Sequence, residues 1–340
     1  MDSPNPSKQN EVWSGVNSKV DLKNRIPEIV EKISSKCGFI PDKLISTSSW
    51  WSENTGVGAF HLNGKFNGIP VVLKVQGVKP TTSETFMIES FARQNSSNII
   101  RPPQIFTKFP WNEKVGYEAF ILEDVGTDLV VKVPTMQNQV SDFFDYYLEY
   151  RKNCINTPWL EKPNIDLRKI IKERFSQWAL TSHRIFPNHP FRKPEDHKLI
   201  DRSIQILTKN DDWLNLEFVH GHFSARDLYK VDKQIVVLSN LYWSWRTPYY
   251  DLVFGYHWFM YGLGSAKYLT PEKAEEQRKI WMNKIEAIAK DKILLKYALL
   301  ERSTAGLALD ALSVDTQKPI AKHLVEKTRE ITKSLIAELS

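Results

Sequence analysis

The sequence predicts an α+β protein of two lobes, a small antiparallel β-rich N-terminal lobe and a larger, mainly helical C-terminal lobe. Three observations carry that expectation. A chain of 340 residues is long for one hydrophobic core and usually divides. Residues 40 to 125 are dense in β-formers and turn signals. After Gly126 the apolar residues recur mostly at helical spacing.

The boundaries follow from these changes of character. Residues 1–20 are polar and proline-bearing and read as a flexible tail. Residues 21–126 form the first lobe and residues 127–340 the second. From Lys23 to Cys37 the apolar positions Ile26, Ile29, Val30 and Ile33 fall on one helical face. GAFHLNGKFNGIPVVLKV reads as two strands joined by a turn between Asn63–Gly64 and Asn67–Gly68. Pro70 starts the second strand, and Val71, Val72, Leu73 and Val75 are β-formers. Thr82 to Gln94 reads as a helix with Ser83 as N-cap and Met87, Ile88 and Phe91 as its apolar stripe. Arg101-Pro102-Pro103 ends that unit. QIFTKF and YEAFILEDVG read as two further strands, with Trp111-Asn112 in their turn.

In the second lobe, segments 137–153, 166–186 and 194–209 are helical by period, and Pro187 and Pro190 break the chain between the last two. FVHGHFSARDLYK and QIVVLSNLYW are β-like pieces flanking a polar loop. From Tyr250 to the end the chain is again helical, with Thr270-Pro271 at a good cap position.

Composition narrows the function classes. Lysine and arginine exceed aspartate and glutamate by 46 − 40 = 6. That excess is scattered and forms no basic arm, so no nucleic-acid partner is expected. Two cysteines, Cys37 and Cys154, give neither a disulfide framework nor metal-type spacing and read as reduced cytosolic thiols. The N-terminus lacks the apolar stretch of a secretory signal. The most apolar segment, Tyr249 to Met260, holds Asp251 and His257 and is too short to span a bilayer. It reads as a buried helix. A cytoplasmic protein with no membrane contact is expected.

Individual residues carry weak chemistry. Lys74 sits in the strand VVLKV, where a lysine either faces solvent or grips phosphate as a point charge. Glu89, fifteen residues on, lies where a helical carboxylate would hold Lys74. Glu84 competes for that role, although a carboxylate so near a helix start also suits the helix dipole.

The segment VHGHFSARDLYKVDKQIVVLSNLYWSWRTPYYDL, within residues 219–252, resembles the catalytic segment of the aminoglycoside and choline-type phosphotransferases, relatives of the protein kinases. In that family an HGD motif is followed, five residues after its aspartate, by asparagine. A strand then leads to a metal-binding aspartate, and later a proline precedes Tyr-Asp-Leu. His220-Gly221, Leu228 and Tyr229, Ile235 to Leu238, and Pro248, Tyr250, Asp251 and Leu252 match in order. Lys74, Glu89 and the hinge-like ILEDVG at 121–126 also fall in the family's order, so the resemblance covers roughly residues 40 to 260.

The resemblance implies a protein-kinase-like fold and an ATP-dependent phosphotransferase acting on a small-molecule hydroxyl. Lys74, Glu89, Glu123 and Val125 would then serve the nucleotide. The departures fall on the catalytic positions. His222 stands where the family has its catalytic aspartate, Asp227 where it has asparagine, and Ser239, followed by Asn240, where it has the second metal-binding aspartate. His222 would orient the acceptor, and Asp227, Asn240 and Ser239 would hold Mg²⁺ in a weakened site, unless Asp227 merely caps its loop. The glycine loop is missing as a motif; SSWWSENTGVG has only Gly56 and Gly58. The alternative is a pseudokinase, a nucleotide- or ligand-binding module without turnover that acts through protein partners.

Other readings of the same residues are weaker. His220 and His222 lack a third zinc ligand. His222, Ser224 and Asp227 match a hydrolase triad in composition alone. Trp243, Trp245 and Arg246 would either wall an acceptor site or, for the tryptophans, pack inward. Asp142, Asp145 and Glu149 would meet a cationic substrate or form a solvated helix face.

Overall fold

The computed structural model describes residues 22–48, 59–77, 79–132, 137–263 and 270–340. The tail at 1–20 and nearly all of the SSWWSENTGVG stretch lie outside them. The described residues divide into two compact units. One runs to Arg93 and resumes at Arg101–Asp128; the other is Gln94–Ile100 with Leu129–Ser340. The second unit thus takes residues 94–100, which the sequence placed in the first lobe. Backbone bonds explain why: Ser96 N–H donates to Asn153 O at 3.0 Å and Ile235 N–H to Ile99 O at 2.7 Å.

The first unit is built on a five-stranded antiparallel sheet. Its strands are β1 (Ile40–Ser48), β2 (Ala59–Phe66), β3 (Ile69–Gln76), β5 (Ile105–Asn112) and β6 (Tyr117–Glu123), in the order β1-β2-β3-β6-β5. Alternation sets the two faces. Phe60, Leu62, Val71, Leu73, Val75, Ala119 and Ile121 point to one side, where α1 (Leu22–Cys37) covers them with Ile29, Val30 and Ile33. Phe120 and Leu122 point to the other side and meet Ile88 of α2 (Glu84–Gln94).

Two turns differ from expectation. Phe66 pairs with Ile69, so the β2–β3 turn is Asn67-Gly68 alone, both at positive φ (51° and 79°). Asn63 and Gly64 are strand residues. Gly64 is needed there for closeness, because a Cβ would overlap the Ile40 carbonyl oxygen and the Phe39 ring. Trp111 and Asn112 likewise stay in β5, and the turn follows them, closed by Gly116 N–H to Asn112 O at 2.8 Å.

The second unit is mainly helical. Its helices are α3 (Gln137–Asn153), α4 (Leu167–Ile185), α5 (Glu195–Leu207), α6 (Tyr250–Leu263), α7 (Pro271–Ile288), α8 (Lys292–Ala308) and α9 (Pro319–Leu339). Asp166 caps α4, Thr270 caps α7 with Pro271 beside it, and Asp291 caps α8. α6 is apolar nearly all round and buried, with Leu252 and Val253 wholly enclosed. A fork-to-fork ion pair between Arg329 on α9 and Asp196 on α5, at 2.6 and 2.9 Å, joins two helices inside the unit.

Between α5 and α6 the chain makes the strands β7 (Glu217–Val219), β8 (Leu228–Val231), β9 (Gln234–Val237) and β10 (Ser244–Arg246). β8 pairs with β9, which also adjoins β4 (Ile100–Arg101), and β10 pairs with β7. The loop from β7 to β8 is laid on an aromatic floor. Phe223 is wholly buried and stacks on Tyr150 with ring centroids 4.6 Å apart; Phe143 and Trp281 lie beneath. Both cysteines are free. Among the described residues no helix is long and apolar enough to cross a membrane.

Gly64→Ala forces the Phe39 ring and the Ile40 carbonyl apart. It is expected to destabilise the protein by about 1–3 kcal/mol, the usual cost of overpacking, measured by urea unfolding.

Candidate active site

The first unit places Lys74 beside a buried carboxylate. Alternation turns Lys74 and Gln76 to the α2 side of the sheet, and α2 begins there with Glu84. Lys74 Nζ donates to Glu84 Oε2 at 2.6 Å, and Gln76 Nε2 donates to the same oxygen at 2.7 Å. Glu89 is one helical turn and more further on, near the surface, and accepts from Lys108 at 2.7 Å. The expected Lys74–Glu89 pair is therefore corrected to Lys74–Glu84. A residue at the first turn of α2 reaches β3; one in its second turn points towards β5.

A second carboxylate lies close by. Glu118, in register with Gln76, is buried. Burial, then the charge of Glu84, push its pKa up to about 7, while Lys74 and a hydrogen bond from Ser83 pull the other way. Lys74 thus sits among two carboxyls and an amide. His61, its partner on β2, is pushed down to about 3 by burial and by the lysine charge. Glu123 is committed elsewhere. Its carboxylate takes both nitrogens of Arg101, at 2.6 and 2.7 Å, and its N–H donates to Gln104 O. Val125 follows half-buried, before a turn in which Asp124 Oδ1 accepts from Gly126 N–H.

The second unit builds the loop from His220 to Asp227. Its base is a buried clamp. Asp251 Oδ1 accepts from Gly221 N–H at 2.9 Å, and Asp251 Oδ2 accepts from Tyr150 O–H at 2.9 Å. The Tyr150 oxygen in turn accepts from His220 N–H at 2.6 Å. Burial pushes Asp251 up to about 6, opposed by the Tyr150 and Gly221 hydrogen bonds and by the charges of Arg151 and Arg246. Gly221 has φ +76°, and a Cβ there would overlap the Tyr242 carbonyl. His220 is wholly buried, edge-on to Trp243, and burial pushes it down to about 3. It shapes the loop and is too enclosed to bind a ligand.

Above the clamp sits a polar cluster. His222 Nδ1 lies 2.8 Å from Asp227 Oδ2, and its ring stacks on Tyr242. Ser224 Oγ donates to that same carboxylate oxygen, and Ser239 Oγ donates to Oδ1 at 2.5 Å. Asp227 is buried, which works against its charge, yet His222 and the three hydrogen bonds hold its pKa below the usual carboxylate value. With Nδ1 as the donor to the carboxylate, His222 keeps Nε2 free of any protein partner among the described residues. Ser224 bonds to the aspartate and not to the imidazole, so the cluster is no hydrolase triad.

The metal expectation meets this geometry poorly. Asp227 already receives three protein donors. Asn240 is wholly buried, its amide donating to Val237 O and accepting from Trp243 Nε1 at 3.0 Å. It fixes the chain after β9 and offers no free oxygen. Ser239 sits at positive φ (58°) and gives its proton to Asp227. No group of three or more His, Cys, Asp or Glu among the described residues could hold a metal ion. These residues do not fit a dedicated Mg²⁺ site, which wants several hard oxygens.

The remaining motifs also find their places. Trp243 is buried, stacked on Phe218, and Trp245 Nε1 donates to Leu160 O, so both tryptophans pack inward. Glu149 accepts from Ser97 Oγ at 2.5 Å and is not free to meet a cation.

The chain's fold is similar to that of a thermostable mutant of aminoglycoside phosphotransferase APH(4)-Ia, with a TM-score of 0.57 over 91% of this chain and 98% of that one at 11% identity. Spectinomycin phosphotransferase APH(9)-Ia, solved with ADP and spectinomycin, gives 0.56 over 92% and 98% at 13% identity. Choline kinase from Cryptosporidium parvum Iowa II gives 0.55 over 92% and 97%, again at 13% identity. The fold is that of the kinase-like small-molecule phosphotransferases. No family model and no curated protein matches the sequence.

Sequence reasoning missed Tyr150, and it read Ser239 as a metal ligand and Ser224 as part of a triad in composition, where both donate to Asp227. A tyrosine in the apolar stripe of a helix carries no motif, and the serines matter only because the loop folds them onto Asp227.

Tyr150→Phe leaves the His220 N–H and one Asp251 oxygen buried without their partner. The loss is expected at about 1–3 kcal/mol by urea unfolding. Asp251, whose folded pKa is raised, favours the folded state at low pH and costs stability as pH rises from about 4 through 6. Removing the phenol raises that pKa further, so the variant's deficit is expected to be larger at pH 8 than at pH 5.

Proposed function

We propose that this chain is an ATP-dependent phosphotransferase acting on a small-molecule hydroxyl, with His222 as the base. The observation that carries the reading is the His222–Asp227 pair at 2.8 Å, at the loop position where the resembled family keeps its catalytic carboxylate. Asp227 fixes the imidazole through Nδ1, which leaves Nε2 as the acceptor. The acceptor hydroxyl gives its proton to Nε2, its oxygen bonds to the terminal phosphorus, and ADP departs. Asp227 balances the charge of the imidazolium that forms. Lys74, held by Glu84, supplies a positive charge for phosphate. The fold likeness supports this reading, since the comparison proteins are by name phosphotransferases and a kinase. A cytoplasmic setting, where ATP is at hand, goes with it.

A second reading is favoured by the occupied Asp227 carboxylate and the lack of a fitting magnesium set. On that view the chain binds nucleotide or another ligand without turnover and acts through a protein partner.

Calorimetry with ATP separates the two. ATP is expected to bind, with affinity little changed by Mg²⁺, and Lys74→Ala is expected to weaken it about tenfold or more, a loss near 1.4 kcal/mol. His222→Ala is expected to keep ATP binding yet lower acceptor-dependent ADP release by about 10²- to 10⁴-fold. ATP binding without ADP release on any alcohol offered would establish the non-catalytic reading. No binding at millimolar ATP would overturn the phosphotransferase.

A further inference from the structure

We propose that Arg246 is an anion-binding specificity residue beside the His222 loop, so that the acceptor is a small hydroxy compound bearing a carboxylate or phosphate group rather than an amine. The inference rests on the phosphotransferase reading for the word acceptor. The anion subsite itself stands on geometry within the second unit alone.

Arg246 ends β10, and β10 is aligned by its pairing with β7, the strand that leads into the His222 loop. Its Nε donates to Ser244 Oγ at 2.9 Å. The same Ser244 oxygen lies 3.1 Å from where a Cβ on Gly221 would stand, so the arginine is set against the residue that precedes His222. Its guanidinium lies over the Tyr250 ring, 5.0 Å from the centroid. Tyr250 stacks on Phe254, and Phe254 packs on His222 at 4.8 Å. Arg246 and His222 are thus linked both through the loop and through one aromatic pair.

Two restraints, Ser244 and Tyr250, fix the guanidinium in place, while its terminal nitrogens donate to no acceptor among the described residues. No carboxylate among the described residues forms an ion pair with it. Glu217, opposite it in register, is taken by Arg151 at 2.7 Å. Glu301 is taken by Arg302, and Arg174 lies 3.5 Å away. Arg302 also lies over the Tyr250 ring, at 4.8 Å. Glu301 feels the charges of Arg302, Arg174 and Arg246, and Asp251 those of Arg151 and Arg246. A guanidinium fork held at one end by Ser244 and Tyr250, with its terminal nitrogens unpaired among the described residues, suits a bidentate oxyanion and repels an ammonium.

The test is binding of simple probes to the full chain without nucleotide, so that it does not depend on turnover. Acetate, inorganic phosphate and choline are titrated against wild type, Arg246→Gln and Ser244→Ala, with melting temperature and calorimetry as readouts. Acetate or phosphate is expected to bind wild type at millimolar concentration, and which of the two binds tells carboxylate from phosphate. Arg246→Gln is expected to weaken that binding about tenfold or more, and Ser244→Ala, which frees the guanidinium but keeps its charge, by less. Choline is expected to leave the melting temperature unchanged. Choline binding, failure of both anions to bind, or anion binding unaltered in Arg246→Gln would each overturn the subsite. Anion binding lost in Arg246→Gln, in a protein that releases no ADP with any hydroxy acid, would keep the subsite and sink the phosphotransferase.

Discussion

The hydrogen bonds around Asp251 are the constraint on which the second unit's site depends. One carboxylate, buried and half inclined to keep its proton, holds Gly221 N–H directly and His220 N–H through Tyr150. Those two bonds fix the successive N–H groups of His220 and Gly221, the glycine at positive φ. The chain can then turn sharply enough to lift His222 out of the aromatic floor while Phe223 goes back into it. Everything polar above the floor inherits its position from this turn. The clamp spans about 100 residues of sequence, since Tyr150 and Asp251 are 101 positions apart, so it also secures α3 to the start of α6.

The first unit solves a different problem. Lys74 must keep a charge on a strand whose neighbours are apolar. Glu84 and Gln76 hold it from one side, and Glu118 sits within reach as a second carboxyl whose proton is loosely held near neutrality. Lys74 is thereby held by Glu84 in one place beside Glu118, which a lone surface lysine is not.

The elements were readable because their signals are local. Helical period, capping residues such as Asp166, Thr270 and Asp291, and the Asn67-Gly68 turn are properties of short windows. The order of motifs from Lys74 to Asp251 was readable too, because the fold keeps that order. What escaped reading is tertiary. Glu84 and Glu89 differ by one turn and a half of helix, and only the packing of Ile88 on Phe120 decides which faces the lysine. Asn240 looked like a ligand because amides can coordinate; Trp243, three residues on, takes its oxygen instead. Gly64 looked like a turn because glycine usually marks one, and here it marks a close approach.

Relative to the resembled family the carboxylate stands at the second of the two positions, Asp227, and an imidazole, His222, at the first. Their side chains lie 2.8 Å apart. An aspartate placed at 222 alone would set two carboxylates against each other in a largely buried site, which raises one pKa and disfavours the second charge. An asparagine restored at 227 alone would take from His222 the charge that balances its imidazolium. Substitutions at these two contacting positions are therefore expected to be coupled rather than additive.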